Sequence, residues 1–343
     1  MPVDSLLMWY RTNARDLPWR REERDPYHVL VSEFMLQQTQ VDRVVPRFIE
    51  FVTRFPSLDR LAAASEEEVL TVWSGLGYYR RARMLHLLAS EILSRGGKVP
   101  RTAAELETLP GVGPYTAAAV ASMAFGVAVP VLDGNVMRVG ARVLKVVNDP
   151  RSAAGRGLLL SWIHDLMEGN PPGQVNEALM ELGAMICTPA DPECGGCPFN
   201  GECGARAEGR PEAYPKPRPR RATVALRWVA ACAVNSERGW LLRRVDDGPI
   251  LRGLWLPPLA EIVDGADPVL IAERLLPDCV TLAQESMPPV RHNITHRKIN
   301  VLPVRFEIDG LDPPSDEWRW ANPEDPGVPT SSLLAKLTRA IKR

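Results

Sequence analysis

The pattern of apolar and polar positions changes in character along the chain. Up to residue 203 the apolar residues recur with helical spacing, which predicts helices over 65–73, 82–93, 114–125 and 136–146. Beyond residue 221, short runs rich in Val, Ile and Trp alternate with Gly and Pro. These runs predict strands over 225–234, 240–243 and 299–306, followed by one closing helix over 331–341. The chain is therefore expected to combine an all-α part with a smaller α+β part.

A cationic linker is expected between these two parts. Residues 204–221 interleave Arg and Lys side chains with Pro211, Pro215, Pro217 and Pro219, a composition typical of an extended connection. A chain of 343 residues allows roughly two domains at about 150 residues each. We predict a first domain over 1–205, a linker over 206–222 and a second domain over 223–343.

Charge and hydropathy narrow the class of protein. The 41 Lys and Arg residues nearly balance the 42 Asp and Glu residues, and this excludes a wholly basic, histone-like binder. Any surface for nucleic acid must then come from local clustering of charge. Because no apolar run approaches the roughly 20 residues that span a bilayer, we expect a cytoplasmic protein that does not bind a membrane.

Four of the six cysteines fall in one short loop, 187–203. Their spacing is C-x6-C-x2-C-x5-C, and clustered thiols in a reducing compartment are typical metal or cluster ligands. A cuboidal iron-sulfur cluster and a tetrahedral zinc ion both suit four thiolates, so the chemistry leaves the two open. The expected ligands are Cys187, Cys194, Cys197 and Cys203. The isolated Cys232 and Cys279 are expected to be small buried groups.

A glycine-rich turn joins two of the predicted helices. The sequence Leu109-Pro110-Gly111-Val112-Gly113-Pro114 allows a tight hairpin that exposes backbone N–H groups at a helix N-terminus. Such a turn can bind a phosphate without a basic side chain, although it can equally be a purely structural connection.

Two carboxylates stand in unusual local settings. Asp25-Pro26 predicts the start of a helix that runs through Gln38, and on it Glu33 shares a face with apolar side chains that would raise its pKa. Such a Glu is either the centre of a buried salt bridge or a general acid. Asp133 lies just ahead of the helix predicted over 136–146.

Taken together, these motifs resemble those of adenine DNA glycosylases of the MutY type, which belong to the helix-hairpin-helix glycosylase superfamily. The resemblance is dense over residues 17–203. It rests on Val31-Ser32-Glu33-Phe34-Met35-Leu36-Gln37-Gln38-Thr39-Gln40-Val41, Gly75-Leu76-Gly77-Tyr78-Tyr79, residues 109–116, Leu132-Asp133-Gly134-Asn135-Val136 and the cysteine spacing. Through Gly253-Leu254-Trp255, the second part is more loosely similar to the family's Nudix-like domain.

The resemblance implies a monofunctional enzyme that removes adenine mispaired with 8-oxoguanine or G from double-stranded DNA. Glu33 would protonate the adenine ring at N7, and Asp133 would stabilise the positive charge that develops on the sugar. Tyr115 and Asn135 would assist around the sugar. Bifunctional relatives, similar to endonuclease III, carry at position 115 a lysine that forms an imine; tyrosine cannot do so.

The resemblance also implies the binding residues and the cofactor. Adenine would be held by Trp19, Arg20 and Glu177, and the opposite strand would be contacted by Gln38, Leu76 and Tyr78. Further DNA contacts are expected at Thr39, Gly111, Val112, Gly113, Thr295 and His296. The four clustered cysteines would hold a [4Fe-4S] cluster. The protein is expected to act as a monomer.

The second domain raises an alternative activity, nucleotide hydrolysis. A working Nudix site holds divalent metal with several carboxylates, and after Gly253 the chain offers only Glu261 and then Glu273 near Arg274. Recognition of DNA is the better prediction. The family places a Phe-Ser-His turn there, and this chain has Ile294-Thr295-His296, so the aromatic side chain is missing.

A second alternative is a DNA-binding protein that keeps the scaffold and the cluster but has no catalytic activity. This alternative differs from the enzyme at Glu33 and Asp133. Both carboxylates are present, which favours the enzyme.

Overall fold

A computed structural model describes residues 2–216, 222–247, 250–263, 265–278, 280–309 and 311–342. Part of the predicted linker (217–221) and the isolated Cys279 lie outside these ranges. Contacts divide the chain into two compact units. The first comprises Met1–Ala63 and Met84–Pro219, and the second comprises Ala64–Arg83 and Arg220–Arg343. Over the described ranges, every helix is too short or too polar to cross a lipid bilayer.

The helices, in chain order, are α1 (Pro2–Asn13), α2 (Pro26–Leu36), α3 (Val41–Arg54), α4 (Leu58–Ala62), α5 (Glu66–Val72), α6 (Arg80–Ser94), α7 (Ala103–Leu106), α8 (Pro114–Phe125), α9 (Gly134–Val143), α10 (Ala153–Met167), α11 (Pro172–Met185), α12 (Gly204–Ala207), α13 (Pro268–Leu275) and α14 (Ser332–Ile341). The strands are β1 (Val224–Asn235), β2 (Gly239–Arg244), β3 (Trp255–Leu256), β4 (Leu259–Glu261), β5 (Val280–Ser286), β6 (Val290–Ile294), β7 (Arg297–Asp309) and β8 (Trp318–Ala321). An all-α part followed by a part with strands and helices is thus confirmed.

Local signals explain where two helices of the first unit begin and end. Helix α8 has the predicted bounds because Gly113-Pro114 starts it and Gly126, at φ +70°, ends it in the left-handed conformation. The prediction that α2 continues through Gln38 is wrong. Helix α2 ends at Leu36, and Gln38 adopts φ +58°, which turns the chain into α3.

One core cluster of the first unit lies among α1, α9, α10 and α11. Leu6, Val139, Ile163 and Leu182, one from each of these helices, are at most 1% exposed. Burial of each such side chain stabilises the fold by about 1.5 to 3 kcal/mol. This packing fixes α9 and α11 against each other, and these helices carry several of the predicted site residues.

The second unit is built on a mixed sheet with the strand order β3-β2-β1-β7-β5, in which β1 and β7 run parallel. Strand β1 is buried on both faces. Val229 and Ala231 join a core cluster with Ala272 of α13, whereas Ala230 and Cys232 join one with Leu333 and its neighbours on α14. A strand covered on both sides reads as a continuous apolar run. The predicted strands and the burial of Cys232 are confirmed.

Residues 64–83 pack with the second unit, although the sequence suggested that they belong to the first domain. On α5, Glu67 accepts hydrogen bonds from Trp255 Nε1 at 3.3 Å and from Arg319 Nη1 at 3.2 Å. The backbone N–H of Thr330 also reaches Ser74 Oγ at 3.4 Å. The boundaries at 205 and 223 remain a prediction. The structure adds this earlier segment to the residues that pack with the second sheet.

Candidate active site

Glu33 is a carboxyl group in the middle of a buried helix. Helix α2 is buried from Val29 to Met35, and Glu33 itself is only 4% exposed. Burial raises its pKa from 4.5 to about 7, a hydrogen bond from Tyr115 acts in the opposite sense, and the nearby charge of Asp133 adds to the rise. Among the described residues its Oε2 atom has no hydrogen-bond partner. A large fraction of Glu33 is therefore protonated near neutral pH, unlike an ordinary exposed glutamate.

Asp133 is held at the start of a helix. It caps α9, since its Oδ1 accepts the backbone N–H of Val136 at 2.6 Å and its Oδ2 accepts Asn135 Nδ2 at 3.2 Å. Burial raises the pKa of Asp133, and these hydrogen bonds together with the charge of Arg138 oppose that rise. The hydrogen bonds and the positive end of the helix both favour the ionised carboxylate.

One cavity of the first unit, of about 500 Å³, brings together the four predicted catalytic residues and four of the predicted binding residues. A volume of this order holds a small organic ligand such as a nucleobase with its sugar. The predicted residues that line it are Trp19, Arg20, Glu33, Thr39, Tyr115, Asp133, Asn135 and Glu177. Burial raises the pKa of Tyr115 well above 10, so its hydroxyl remains a hydrogen-bond donor to Glu33.

Four further residues of this region were missed by the sequence reasoning. Tyr10 and Arg24 both donate to Glu177 Oε2, at 3.0 and 2.8 Å. Arg15 pairs with Glu181, which also lines the cavity. The sequence carries only a weak signal: Glu177 and Glu181 lie one helical turn apart, and a separate segment near residue 20 is rich in arginine. Only the fold shows that these two sets of charges meet.

Arg138 connects the cavity to the cysteine loop. Its guanidinium donates to Asn135 Oδ1 at 2.8 Å, to the Gly183 carbonyl at 2.7 Å and to the Cys187 carbonyl at 2.7 Å. Asn135 in turn holds Asp133. Gly183 is needed at this approach of α11 to α9, because a Cβ atom there would lie 2.6 Å from Cβ of Asn135.

The four clustered cysteines line a second cavity of the first unit and form no disulfide. Arg142, only 1% exposed, donates to Cys187 Sγ at 3.3 Å and to the Thr188 carbonyl at 2.7 Å. Four thiol groups around one cavity, with a buried guanidinium beside Cys187, have the donor chemistry to hold a metal ion or a metal–sulfur cluster.

The glycine turn is a hairpin between two helices and lies outside the cavity that contains Glu33 and Asp133. It joins α7 to α8, and Gly111 adopts φ +75°; a Cβ atom on Gly111 would meet Cβ of Met84 at 2.5 Å. Gly111 and Gly113 are exposed, whereas Val112 is buried. Since only glycine fits position 111, the turn presents its exposed backbone at the N-terminus of α8.

Three predicted contacts to the opposite strand have different exposures. Gln38, next to Thr39 in the first unit, is exposed with a positive φ. In the second unit, Tyr78 is 43% exposed at φ +50°, and Leu76 is buried at 6%. Arg81 lies against Tyr78, 5.3 Å from its ring centroid, and donates to the Gly77 carbonyl at 3.1 Å. The contact of Leu76 with DNA stays a prediction.

Thr295 and His296 form the two-residue turn between β6 and β7 of the second unit, where Ile294 pairs with Arg297. Thr295 adopts φ +55°, and its hydroxyl donates to the Ile294 carbonyl at 2.7 Å and lies 3.2 Å from His296 Nδ1. Ile294 packs against the core of its own unit. The exposed part of the turn is therefore polar.

Comparisons with known proteins identify a family and several relatives that this chain resembles. Residues 31–163 match the HhH-GPD superfamily of base excision DNA repair proteins. The chain is 40% identical over 279 residues to adenine DNA glycosylase of Mycolicibacterium smegmatis, which covers 79% of this chain and 90% of that protein. It is 47% identical over 211 residues to adenine DNA glycosylase of Homo sapiens, covering 59% of this chain and 39% of that protein.

The match spans about two fifths of the length of the human, rat and mouse relatives. Among solved structures, the chain is similar to a thermostable thymine-DNA glycosylase. The sequence identity is 29%, the TM-score is 0.54, and the similarity covers 60% of this chain and 95% of that chain.

Proposed function

The chain belongs to the adenine DNA glycosylase family, and on that premise we propose that it hydrolyses the N-glycosidic bond of adenine mispaired with 8-oxoguanine or with G in double-stranded DNA. The observation that carries the proposal is the pair of unequal carboxyl groups in one base-sized cavity. Glu33 is buried with a raised pKa, and Asp133 is hydrogen-bonded at a helix start.

The two carboxyl groups divide the reaction between them. Adenine is unreachable within a duplex, so it must be turned out of the helix at a cost of a few kcal/mol. Glu33 then donates its proton to N7 of the base, which makes adenine a better leaving group and contributes about 10²- to 10⁴-fold. Asp133 stabilises the positive charge that grows on the sugar as the bond breaks. As adenine leaves, water adds to the sugar carbon C1′ to give an abasic site, and the proton that this water releases to solvent or to Glu33 replaces the one given to the base.

Tyr115 supports base removal without strand cleavage. Its hydroxyl donates to Glu33, and a phenol cannot form the imine that a lysine forms with the sugar. Asn135 supports the same step by holding Asp133. We expect that borohydride traps no covalent adduct with DNA and that the product strand breaks only after treatment with base.

Recognition of the base rests on charged groups of the same cavity. Adenine carries a hydrogen-bond donor at its amino group and acceptors on its ring. Glu177 supplies an acceptor, Arg20 supplies donors, and the buried ring of Trp19 supplies an apolar wall.

Recognition of the opposite strand is assigned to the exposed turns. Gly111 to Gly113 would bind a phosphate through the backbone, and Gln38, Thr39, Leu76 and Tyr78 would contact the gap and its surroundings. In the second unit, which we assign to a Nudix-like domain, Thr295 and His296 would hydrogen-bond 8-oxoguanine. The few carboxylates after Gly253, such as Glu261, favour this role over nucleotide hydrolysis.

The cofactor in this proposal is a [4Fe-4S] cluster held by Cys187, Cys194, Cys197 and Cys203. The four thiol groups around one cavity and the buried guanidinium of Arg142 beside Cys187 support a negatively charged, thiolate-bound metal group, and the family resemblance favours the iron-sulfur cluster over a single zinc ion. When bound, the cluster supplies structural cross-linking of the loop 187–203. Arg138 donates hydrogen bonds both to the Cys187 carbonyl and to Asn135, so an ordered loop would also restrain the position of Asn135.

One assay tests the proposed function. Purified protein in excess is mixed with duplexes that contain A opposite 8-oxoguanine, A opposite G or A opposite T, and abasic sites are measured after alkaline cleavage. We expect the fastest excision opposite 8-oxoguanine, slower excision opposite G and none opposite T. Equal rates on all three duplexes, or none on any, would contradict the proposal. A monomer–duplex complex of one protein per DNA is expected in sedimentation.

A further inference from the structure

Glu181 is a buried carboxylate of the cavity to which the proposed reaction gives no role. It follows Glu177 by one turn of α11, and its side chain is only 1% exposed. Burial alone would raise its pKa, but hydrogen bonds from Arg15 and Arg20 hold the pKa at about 2. Glu181 is therefore ionised at every pH at which the protein would work.

The hydrogen bonds of Glu181 are short and well distributed. Its Oε1 accepts Arg15 Nε at 2.7 Å and the Arg15 backbone N–H at 3.0 Å. Its Oε2 accepts Arg15 Nη2 and Arg20 Nη2, both at 2.9 Å. A carboxylate that receives four donors has a fixed orientation, and it fixes the orientation of its partners in return.

Arg20 depends on Glu181 more than on its other neighbours. The Nε atom of Arg20 lies 3.7 Å from Glu177 Oε1, and its Nη1 lies 3.5 Å from the Arg15 carbonyl, the upper limit of a hydrogen bond. Its guanidinium lies 5.7 Å from the ring centroid of Tyr10. Within the described part of the chain, the hydrogen bond to Glu181, at 2.9 Å, is thus the only one that this side chain makes at less than 3.5 Å.

Stability alone is a weak reason for this arrangement. Placing a carboxylate and two guanidinium groups inside a protein costs several kcal/mol per ion in lost hydration, and well-packed apolar residues often replace such groups without loss. A guanidinium that lines a cavity in a fixed orientation is, however, useful for recognising the edge of a base.

We propose that Glu181 is a positioning residue that orients the Arg20 guanidinium in the cavity and thereby makes the cavity select adenine over a 6-oxopurine. The inference rests on the proposed function. Arginine can only donate hydrogen bonds, so a fixed Arg20 is matched to a ring nitrogen that accepts one. Adenine has such an acceptor at N1, whereas guanine and hypoxanthine carry a proton there.

An Arg20 guanidinium that Glu181 no longer holds would discriminate less between adenine and a 6-oxopurine. Without the carboxylate, Arg20 can rotate and donate to the O6 atom of a 6-oxopurine instead. Adenine would then lose a well-placed donor, and small misplacements of such groups cost up to about 100-fold in rate.

The main test is a double-mutant cycle on single-turnover excision of adenine opposite 8-oxoguanine. Glu181→Gln should slow excision by about 10- to 100-fold in the parent. In the Arg20→Ala background the same change should slow excision by less than about threefold, because the group that Glu181 orients is absent. Additive losses would overturn the proposal.

A second readout separates positioning from general weakening of the fold. Excision of hypoxanthine is measured beside excision of adenine, and Glu181→Gln should reduce the adenine-to-hypoxanthine rate ratio by about tenfold. A merely structural role would slow both bases equally and leave the ratio unchanged, which would also overturn the proposal.

Two variants serve as controls. Glu91→Gln removes an exposed ion-paired carboxylate, 2.8 Å from Arg95, and should keep the parental rate and ratio. Arg15→Ala removes the other partner of Glu181; a change in ratio as large as that of Glu181→Gln would assign the effect to Arg15 and overturn the role of Arg20.

The design stays decisive if Glu181→Gln does not fold. Glu181→Asp keeps the charge but moves it back by one methylene group. It is combined with Arg20→Ala in the same double-mutant cycle, where we again expect non-additive losses and where additive losses would overturn the proposal. If the parent fails to excise adenine, the proposed function is wrong; if the parent is active and the cycle is additive, only the role of Glu181 is wrong.

Discussion

The cavity of the first unit and the β6–β7 turn of the second unit hold their polar groups in opposite ways. Around the cavity, Glu177 and Glu181 are bound by side chains more than 150 residues away in sequence, such as Tyr10 and Arg15, and the groups are largely buried. In the turn, Thr295 bonds to its own neighbours Ile294 and His296 and is exposed.

This difference matches the tasks that we assign to the two regions. Bond breaking requires groups whose positions and protonation are set before the substrate arrives, and a crowded interior provides this. Reading a base on another strand requires accessible polar groups on a rigid support, and a two-residue turn between paired strands provides that. Changes in the cavity should therefore affect the rate itself, whereas changes in the turn should affect selectivity.

The largest effect is expected for Glu33→Gln. The amide has nearly the same shape but cannot protonate the base, so excision should fall by about 10³-fold or more while binding to mispaired duplex persists. Single-turnover excision and a gel-shift measurement on the same preparation give the two values. Excision within tenfold of the parent would show that Glu33 is not the acid.

Loss of one of the four proposed cysteine ligands should destabilise the first unit, which contains them, and leave the second unit folded. Cys197→Ser is expected to reduce bound iron from about four atoms per chain and to lower the melting temperature, because the loop 187–203 loses its cross-link. Iron analysis and calorimetry measure both. The matched control is Cys232→Ser, which changes a cysteine in the core of the second unit. This variant should contain as much iron as the parent. Stoichiometric zinc in the parent would contradict the iron assignment.

The pH dependence of excision should report Glu33. The protonated form of Glu33 is the active one in this mechanism, and its pKa is raised to about 7, so the rate should fall about tenfold per pH unit above about 7. The rate should also fall at low pH, where Asp133, whose pKa is likewise raised by burial, takes up a proton. Tyr115→Phe removes a hydrogen bond that lowers the pKa of Glu33, so the falling limb on the alkaline side should move to higher pH. If the falling limb of the pH–rate profile of Tyr115→Phe stayed at the parental pH, Tyr115 would not influence the pKa of Glu33.

The smallest effect is expected in the turn. Thr295→Ala with His296→Ala should slow excision opposite 8-oxoguanine more than opposite G and narrow that preference by roughly tenfold, or about 1.4 kcal/mol. Removing the whole second domain is a poorer test, because Glu67 would also lose its partners Trp255 and Arg319. An unchanged ratio in the double variant would mean that this turn does not read the lesion.

Sequence signals anticipated features that depend on near neighbours. The bounds of α8 follow from Gly113, Pro114 and Gly126, and Asp133 could be placed ahead of a helix from its immediate surroundings. The apolar face around Glu33 was visible in the helical spacing. In each case the determinants lie within a few residues of the feature, so pattern and chemistry are sufficient.

Features that depend on distant partners were not accessible in the same way. Glu181 is one acidic residue among many until the fold brings Arg15 to it from 166 residues away. The packing of α5 with Trp255 and Arg319 likewise depends on tertiary contacts that leave no local periodicity. The early end of α2 was missed because Gln38 takes a left-handed conformation that glutamine rarely favours.

Under the proposed mechanism, the helix cap formed by Asp133 makes activity depend on a local folding equilibrium of α9. Its carboxylate reaches its position only when the first turn of α9 is wound, since the Val136 N–H that holds it belongs to that turn. If this single turn frayed, the Asp133 carboxylate would lose its position beside the sugar, although the rest of the unit would stay folded. Asparagine caps a helix about as well as aspartate, so Asp133→Asn keeps the turn wound and removes only the charge, whereas Asp133→Ala loses both. Heat inactivation of the parent should accordingly follow the melting of this turn and precede that of the surrounding core.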